Sequence, residues 1–142
     1  MINNEFNFSE MICFSLYSTS NAMIREYRTE FEKFALTYPQ FLVMMSLWNV
    51  DSVYIKELSE QTYLDAATLT QILKRLEKKG FIQRIKSEKD ERAKVIVLTK
   101  EGKLLKDETS HIFDDMKCRL KLTQEEQKEM TSLCNKILTR LR

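Results

Sequence analysis

The sequence predicts a mainly α-helical fold that includes one small β-hairpin. Its 142 residues contain only two glycines and one proline, which favours long helices joined by short connections. Apolar residues recur at helical spacing along most of the chain. Only residues 81–85 and 94–98 are instead rich in β-branched side chains, and a charged stretch separates them. That arrangement is typical of a hairpin with a long tip.

The first half of the chain predicts two helices. Apolar residues near helical spacing indicate a first helix from Ser9 to about Arg28. Thr37 is a suitable N-cap for a second helix, and Pro39 stands near its first position. This second helix is apolar on nearly all sides up to Trp48, as expected of a central buried helix.

A pair of shorter helices comes next. Residues 55–62 form the first, and Asp65 can cap the second. Gly80 should end the second helix, because glycine readily adopts the left-handed conformation found after a helix. The apolar stripe of the second helix is predicted to face inward and comprises Leu69, Ile72, Leu73 and Leu76.

Two further helices are predicted after the hairpin. Thr99 should cap a long helix that runs to about Leu120. Thr123 and Glu126 form a capping box at the start of the last helix. The predicted order is helix, helix, short helix, helix, hairpin, helix, helix.

Composition excludes several classes of protein. Hydrophobic residues make up 43% and charged residues 31% of the chain, which suits a folded globular protein. No signal peptide or membrane-spanning run is recognisable, so a cytoplasmic protein is expected. Three cysteines without CxxC spacing and a single histidine argue against a metal site. No phosphate loop or nucleophile motif is present, so neither an enzyme nor a cofactor is predicted.

Positive charge is concentrated around the helix pair and the hairpin. The overall net charge is +2, yet residues 74–94 hold nine basic and four acidic residues. A local excess of this size indicates a surface that faces a polyanion, although a charge run alone is more often a solvated face.

Two short helices followed by a basic hairpin are the parts of a winged helix-turn-helix. The second helix of such a pair enters the DNA major groove. Residues near the amino end of this helix are suited to contact base edges and thymine methyls, and the basic residues further along are suited to contact phosphates. The wing reaches the minor groove through an arginine. The predicted DNA-contacting residues are Ala66, Ala67, Thr68, Thr70, Gln71, Lys74, Arg75, Lys78 and Arg92, with Asp90 pairing Arg92.

These residues carry a resemblance to a known family. The wing residues Asp90-Glu91-Arg92, followed by Leu98-Thr99 and Gly102, resemble the wing signature of the MarR family of bacterial regulators. Residues 64–70 and 73–80 are similar to the recognition helix of its organic-hydroperoxide-sensing branch. That branch commonly has serine-glycine and then proline where this chain has Ala66-Ala67 and Gln71.

The resemblance implies one MarR-type domain over residues 1–142. Residues 37–99 would form the winged helix-turn-helix, and about 1–36 and 100–142 the dimerisation helices. Family members are homodimers that usually repress transcription from pseudo-palindromic double-stranded DNA operators.

The same resemblance implies a thiol sensor. Peroxide-sensing members have a cysteine early in the first helix and two tyrosines that match Cys13, Tyr27 and Tyr38. In those members the tyrosine hydroxyls bond the thiol across the dimer interface and favour its anion. The spacing agrees, because fourteen residues of helix separate Cys13 and Tyr27 by roughly 21 Å, beyond contact within one chain.

The predicted mechanism is oxidation of Cys13 to sulfenic acid, followed by capture by a second thiol. The captor is either a low-molecular-weight thiol or a protein cysteine, and Cys118 resembles the resolving cysteine of two-cysteine members. Packing within the dimerisation helices is the alternative role for Cys118 and Cys134. Two alternatives remain open. One is a MarR-type regulator controlled by a small aromatic ligand, and the other is a protein-interaction module that has lost DNA binding.

Overall fold

A computed structural model describes residues 6–141 of the chain. It contains seven α-helices and three β-strands within that range, preceded by a 3-10 turn at Phe8–Glu10. In chain order these are α1 Ile12–Glu32, α2 Tyr38–Asn49, β1 Val53–Tyr54, α3 Ile55–Thr62, α4 Ala66–Lys78, β2 Ile82–Lys86, β3 Lys94–Leu98, α5 Lys100–Thr109, α6 His111–Leu120 and α7 Gln124–Leu141. The chain divides between Glu108 and Thr109 into two compact units.

The predicted helix caps are confirmed. Thr37 and Gln40 form a reciprocal capping box at the start of α2, and Asp65 accepts a hydrogen bond from the backbone N–H of Thr68 at the start of α4. Gly80, two residues after the end of α4, has a φ of 83°, the left-handed conformation expected there. These caps fix where α2 and α4 begin and where α4 ends.

The first helix differs from its prediction at both ends. Ser9 lies in the 3-10 turn, where its N–H and hydroxyl both donate to the Asn7 side chain. The helix then begins at Ile12 and continues to Glu32. It extends beyond Arg28 because Phe31, only 1% exposed, is one of the residues that anchor α1 to the core.

Helices α2 and α4 contribute many of the buried side chains in the core of the first unit. Phe41, Met44 and Leu47 of α2 are at most 1% exposed. The predicted inward stripe of α4 is also buried and comprises Leu69, Ile72, Leu73 and Leu76. Because both helices bury their apolar stripes, the outer face of α4 is left to its polar residues.

The hairpin belongs to a three-stranded antiparallel sheet of order β1-β3-β2. Strand β3 pairs with β2 from Ile82 opposite Leu98 to Lys86 opposite Lys94. Its other edge pairs with the two-residue strand β1, which the sequence did not predict. Strand β1 is too short to show a sequence period, and only its pairing with β3 defines it.

The second unit contains α6 and α7. The prediction of one helix from Thr99 to about Leu120 is wrong, because α5 ends at Thr109 and α6 begins at His111. The interruption falls at Thr109-Ser110, two hydroxyl residues that are poor helix formers because they compete for nearby backbone groups. The capping box of Thr123 and Glu126 at the start of α7 is confirmed.

Candidate nucleic-acid interface and thiol site

The outward face of α4 carries all the predicted DNA-contacting residues except Asp90 and Arg92. All of them are exposed except Thr70, which is half-buried; the exposed set is Ala66, Ala67, Thr68, Gln71, Lys74, Arg75 and Lys78. The apolar stripe of the helix is buried on its opposite side. The helix therefore presents a continuous polar and basic face to solvent.

Two hydroxyls on this face are already hydrogen-bonded within the helix. Thr68 Oγ1 donates to Asp65 Oδ2 at 2.7 Å, and Thr70 Oγ1 donates to the Ala66 carbonyl at 2.8 Å. Each keeps lone pairs that can accept. Gln71 is exposed and brings both a donor and an acceptor. Its carboxamide is therefore the most versatile group on this face for reading a base edge.

An ion pair that the sequence did not predict joins α4 to the wing. The Glu77 carboxylate accepts from Arg84 Nη2 at 3.0 Å and from the Arg84 backbone N–H at 3.0 Å. The hydrogen bonds from Arg84 hold the pKa of Glu77 below its ordinary value. This fork fixes the carboxyl end of α4 against β2, and so sets the wing relative to the recognition helix.

At the wing tip, Asp90 and Arg92 interact in a different way from the prediction. Asp90 Oδ1 accepts the backbone N–H of Arg92 at 3.0 Å, rather than its guanidinium. The Asp90 carbonyl also accepts the N–H of Ala93 at 3.0 Å. Asp90 therefore shapes the turn that carries Arg92, whose exposed side chain extends from the tip.

Ser87 organises the base of the tip. Its side chain lies 2.7 Å from the Tyr54 hydroxyl and accepts the N–H groups of Lys89 and Asp90 at 3.2 and 3.3 Å. Ser87 is only 7% exposed, which is unusual for a serine in a charged loop. The sequence offered no signal for this role, because the partner Tyr54 lies 33 residues earlier.

The two predicted sensor tyrosines lie together. The rings of Tyr27 and Tyr38 stack with centroids 5.4 Å apart, and Tyr27 also stacks on Phe31 at 5.3 Å. Burial raises the pKa of both tyrosines above the ordinary value, and the neighbouring Tyr38 adds to the rise for Tyr27. Both hydroxyls therefore stay protonated at neutral pH and are able to donate.

The cysteines are free thiols. Cys13 is exposed in the first turn of α1, so the fourteen residues of continuous helix before Tyr27 place it roughly 21 Å from that ring along the axis. Cys118 in α6 is exposed, and Cys134 in α7 is half-buried. The first unit thus brings Tyr27 and Tyr38 together and leaves Cys13 apart from them.

Within residues 6–141, no group of three or more His, Cys, Asp or Glu side chains is placed to hold a metal ion. None of the helices there is long and apolar enough to cross a membrane.

Comparison with known proteins gives a consistent result. The MarR family model matches residues 36–94. The chain is 38% identical to the organic hydroperoxide resistance transcriptional regulator of Bacillus subtilis, over 92% of this chain and 88% of that protein. It is 36% identical to the HTH-type transcriptional regulator MgrA of Staphylococcus aureus, over 96% and 94%. Reduced AbfR of Staphylococcus epidermidis, solved bound to DNA, superposes with a TM-score of 0.79 at 28% identity, over 94% and 93%.

Proposed function

Because the chain belongs to the MarR family of DNA-binding transcriptional regulators, we propose that it is a repressor controlled by oxidation of Cys13. MarR regulators bind DNA as dimers, and we take this chain to bind a pseudo-palindromic operator as a homodimer. Apolar side chains exposed in the 3-10 turn and the first turns of α1 suit a dimer contact, namely Phe8, Ile12, Phe14 and Tyr17.

The exposed face of α4 supports sequence-specific reading of the major groove. Gln71, with its free donor and acceptor, is suited to adenine, and Ala66 and Ala67 are suited to thymine methyls. Thr68 and Thr70 act as acceptors, because their protons are engaged within the helix. The basic residues Lys74, Arg75 and Lys78 further along the helix bind phosphates and set the register.

The wing supplies the second contact. Arg92 extends from a turn that Asp90 shapes, and its guanidinium is suited to a narrow A·T-rich minor groove. The Glu77–Arg84 fork holds this wing against the recognition helix. The two contacts are therefore made by α4 and by a wing that is hydrogen-bonded to it.

The stacked pair of Tyr27 and Tyr38 is the observation that carries the thiol switch. The rings of Tyr27 and Tyr38 stack and both hydroxyls stay protonated, so the pair supplies two hydrogen-bond donors suited to a thiolate. Cys13 of the same chain lies too far along α1 to use it. An antiparallel α1 from the second copy would bring its Cys13 to this pair, which makes the sensor a property of the dimer.

The chemistry begins with attack of the Cys13 thiolate sulfur on an oxygen of an organic hydroperoxide. An S–O bond forms and the O–O bond breaks, so the sulfur is oxidised to sulfenic acid and the peroxide is reduced to an alcohol after protonation. A second thiol then attacks this sulfur, forming a disulfide and releasing water. The second thiol is a low-molecular-weight cellular thiol or the exposed Cys118.

Fluorescence anisotropy tests this proposal on a duplex that the protein has selected from a random-sequence pool. Cumene hydroperoxide should release the wild type, dithiothreitol should restore binding, and Cys13→Ser should bind without responding. Cys134→Ser is the matched control and should respond like the wild type. Release of Cys13→Ser by peroxide would exclude Cys13 as the sensor. Tyr27→Phe keeps the ring and should slow sulfenic acid formation.

A further inference from the structure

The residue that follows α4 is tied to the corner between α1 and α2. The Lys79 ammonium donates to the carbonyl oxygen of Ala35 and, at 2.9 Å, to Oε1 of Gln40. Partial desolvation of the ammonium lowers the pKa of Lys79, and the charge of Arg75 adds a smaller effect. The neighbouring Lys78 is exposed and belongs to the outer face. Lys79 is exposed too, but it differs from the basic residues of α4 because its ammonium is hydrogen-bonded to the corner between α1 and α2.

The corner that receives Lys79 is itself closely fixed. Ala35 has a left-handed φ of 54°, and the Leu36 N–H donates to the Phe31 carbonyl at 3.0 Å. Gln40 is 2% exposed, and its Oε1 accepts the Thr37 N–H at 3.2 Å as well as the Lys79 ammonium. One carboxamide oxygen thus joins the cap of α2 to the end of the recognition helix.

The tyrosine pair lies beside this junction. Tyr38 is the first residue of α2, between the capping residue Thr37 and Gln40. Its ring stacks on Tyr27, so a change that separates the rings acts on the first turn of α2. That turn holds the acceptor for Lys79, which makes a continuous path from the tyrosines to α4.

We propose that Lys79 is a positioning residue that transmits the state of the Tyr27–Tyr38 pair to the recognition helix through Gln40. Lys79 fixes the position of the carboxyl end of α4 against the corner between α1 and α2. It thereby sets how the outward face of α4 fits DNA. This inference rests on the proposed function in one respect, that the tyrosine pair is the part of the thiol site held within each protomer.

A double-mutant cycle on the reduced protein tests the coupling without any oxidation. Tyr38→Ala should weaken binding to the selected duplex in the wild-type background and have little further effect in Lys79→Met. The interaction should amount to about threefold or more in Kd. Lys78→Met removes the same charge from the adjacent position, and its effect should multiply with that of Tyr38→Ala. Equal effects of Tyr38→Ala in the Lys79→Met and wild-type backgrounds would overturn the proposal.

A second measurement covers a Tyr38→Ala variant that fails to fold. Gln40→Glu keeps an acceptor for the Thr37 N–H and turns the Lys79 contact into an ion pair. Amide exchange of Lys79 and Gly80, whose N–H groups close the last turn of α4, should slow in Gln40→Glu and quicken in Lys79→Met. Exchange unchanged in both variants would also overturn it.

The outcomes separate the two proposals. If peroxide does not release the wild type from DNA, the thiol switch is refuted, and the double-mutant cycle on the reduced protein still tests the role of Lys79. A wild type released by peroxide, combined with a multiplicative cycle, retains the switch and rejects Lys79 as its link.

Discussion

The hydroxyl of Ser87 holds the wing tip, and replacing Ser87 with alanine removes it without adding bulk. The substitution deletes the 2.7 Å bond with Tyr54 and the two longer bonds from the Lys89 and Asp90 N–H groups. Water can satisfy those two amides because the tip is exposed, whereas Tyr54 is half-buried. The tip should therefore open more often while the rest of the sheet stays intact.

The size of the effect follows from these three bonds. A neutral hydrogen bond contributes about 0.5–1.5 kcal/mol, and two of the three are long and replaceable by water. We expect a net loss of about 1–2 kcal/mol, which corresponds to roughly five- to thirtyfold more opening of the tip. Binding should weaken most on duplexes whose A·T-rich flanks attract Arg92.

Hydrogen exchange at the Lys89 and Asp90 amides measures this opening directly, and anisotropy measures the loss of affinity. Tyr54→Phe is the control, because it removes only the hydroxyl partner of Ser87. The double variant Tyr54→Phe and Ser87→Ala should lose less than the sum of the single variants. Unchanged exchange at both amides in Ser87→Ala would refute the role assigned to this hydroxyl.

Two further predictions concern the base of the wing and the cap of the recognition helix. A Cβ on Gly102 would lie 2.1 Å from the Phe81 carbonyl oxygen, so Gly102→Ala should lower the free energy of unfolding in urea by about 2–4 kcal/mol. A Cβ on Gly80 would meet no atom within 4 Å, but the residue has a positive φ, so Gly80→Ala should lower the free energy of unfolding by only about 1 kcal/mol. Equal losses in the two variants would contradict a clash at Gly102. Hydrogen bonds from Thr68 hold the pKa of Asp65 below its ordinary value. The stabilisation that the Asp65 carboxylate contributes to the fold is therefore present above the ordinary pKa, and it is lost as the pH falls through the lower pKa of the folded state. Asp65→Asn keeps the hydrogen-bond acceptor, so its melting temperature should fall less than that of the wild type as the pH is lowered to 3. Parallel plots of melting temperature against pH would show that the Asp65 carboxylate does not contribute.

The sequence predicted the parts of the fold that are determined locally. The sequence predicted helix ends at Asp65, Thr37 and Gly80 because capping depends on residues within one turn. The buried stripe of α4 followed from its spacing. The outward polar face of α4 followed as the complement of that stripe.

Contacts between distant segments were beyond the sequence. The pairing of β1 with β3, the Tyr54–Ser87 bond and the Gln40–Lys79 bond join residues 33 or more positions apart, and no local pattern encodes them. The predicted ion pair of Asp90 and Arg92 is wrong for another reason. Opposite charge favours the guanidinium as the partner, but a short side chain in a turn reaches the backbone N–H two residues later more readily.

The sheet order has a practical meaning for building chimaeras of such regulators. Strand β3 is the central strand, so the hairpin of residues 82–98 is not a detachable module. Its outer edge is occupied by Val53 and Tyr54, and the Asp51 carboxylate accepts the Leu98 N–H at 2.9 Å. A wing transplanted alone would leave the β1-facing edge of β3 without its native partner strand, and the Ser87 hydroxyl at the tip without Tyr54. Exchanges of specificity between relatives should therefore carry residues 51–54 and 82–98 together, as one discontinuous cassette.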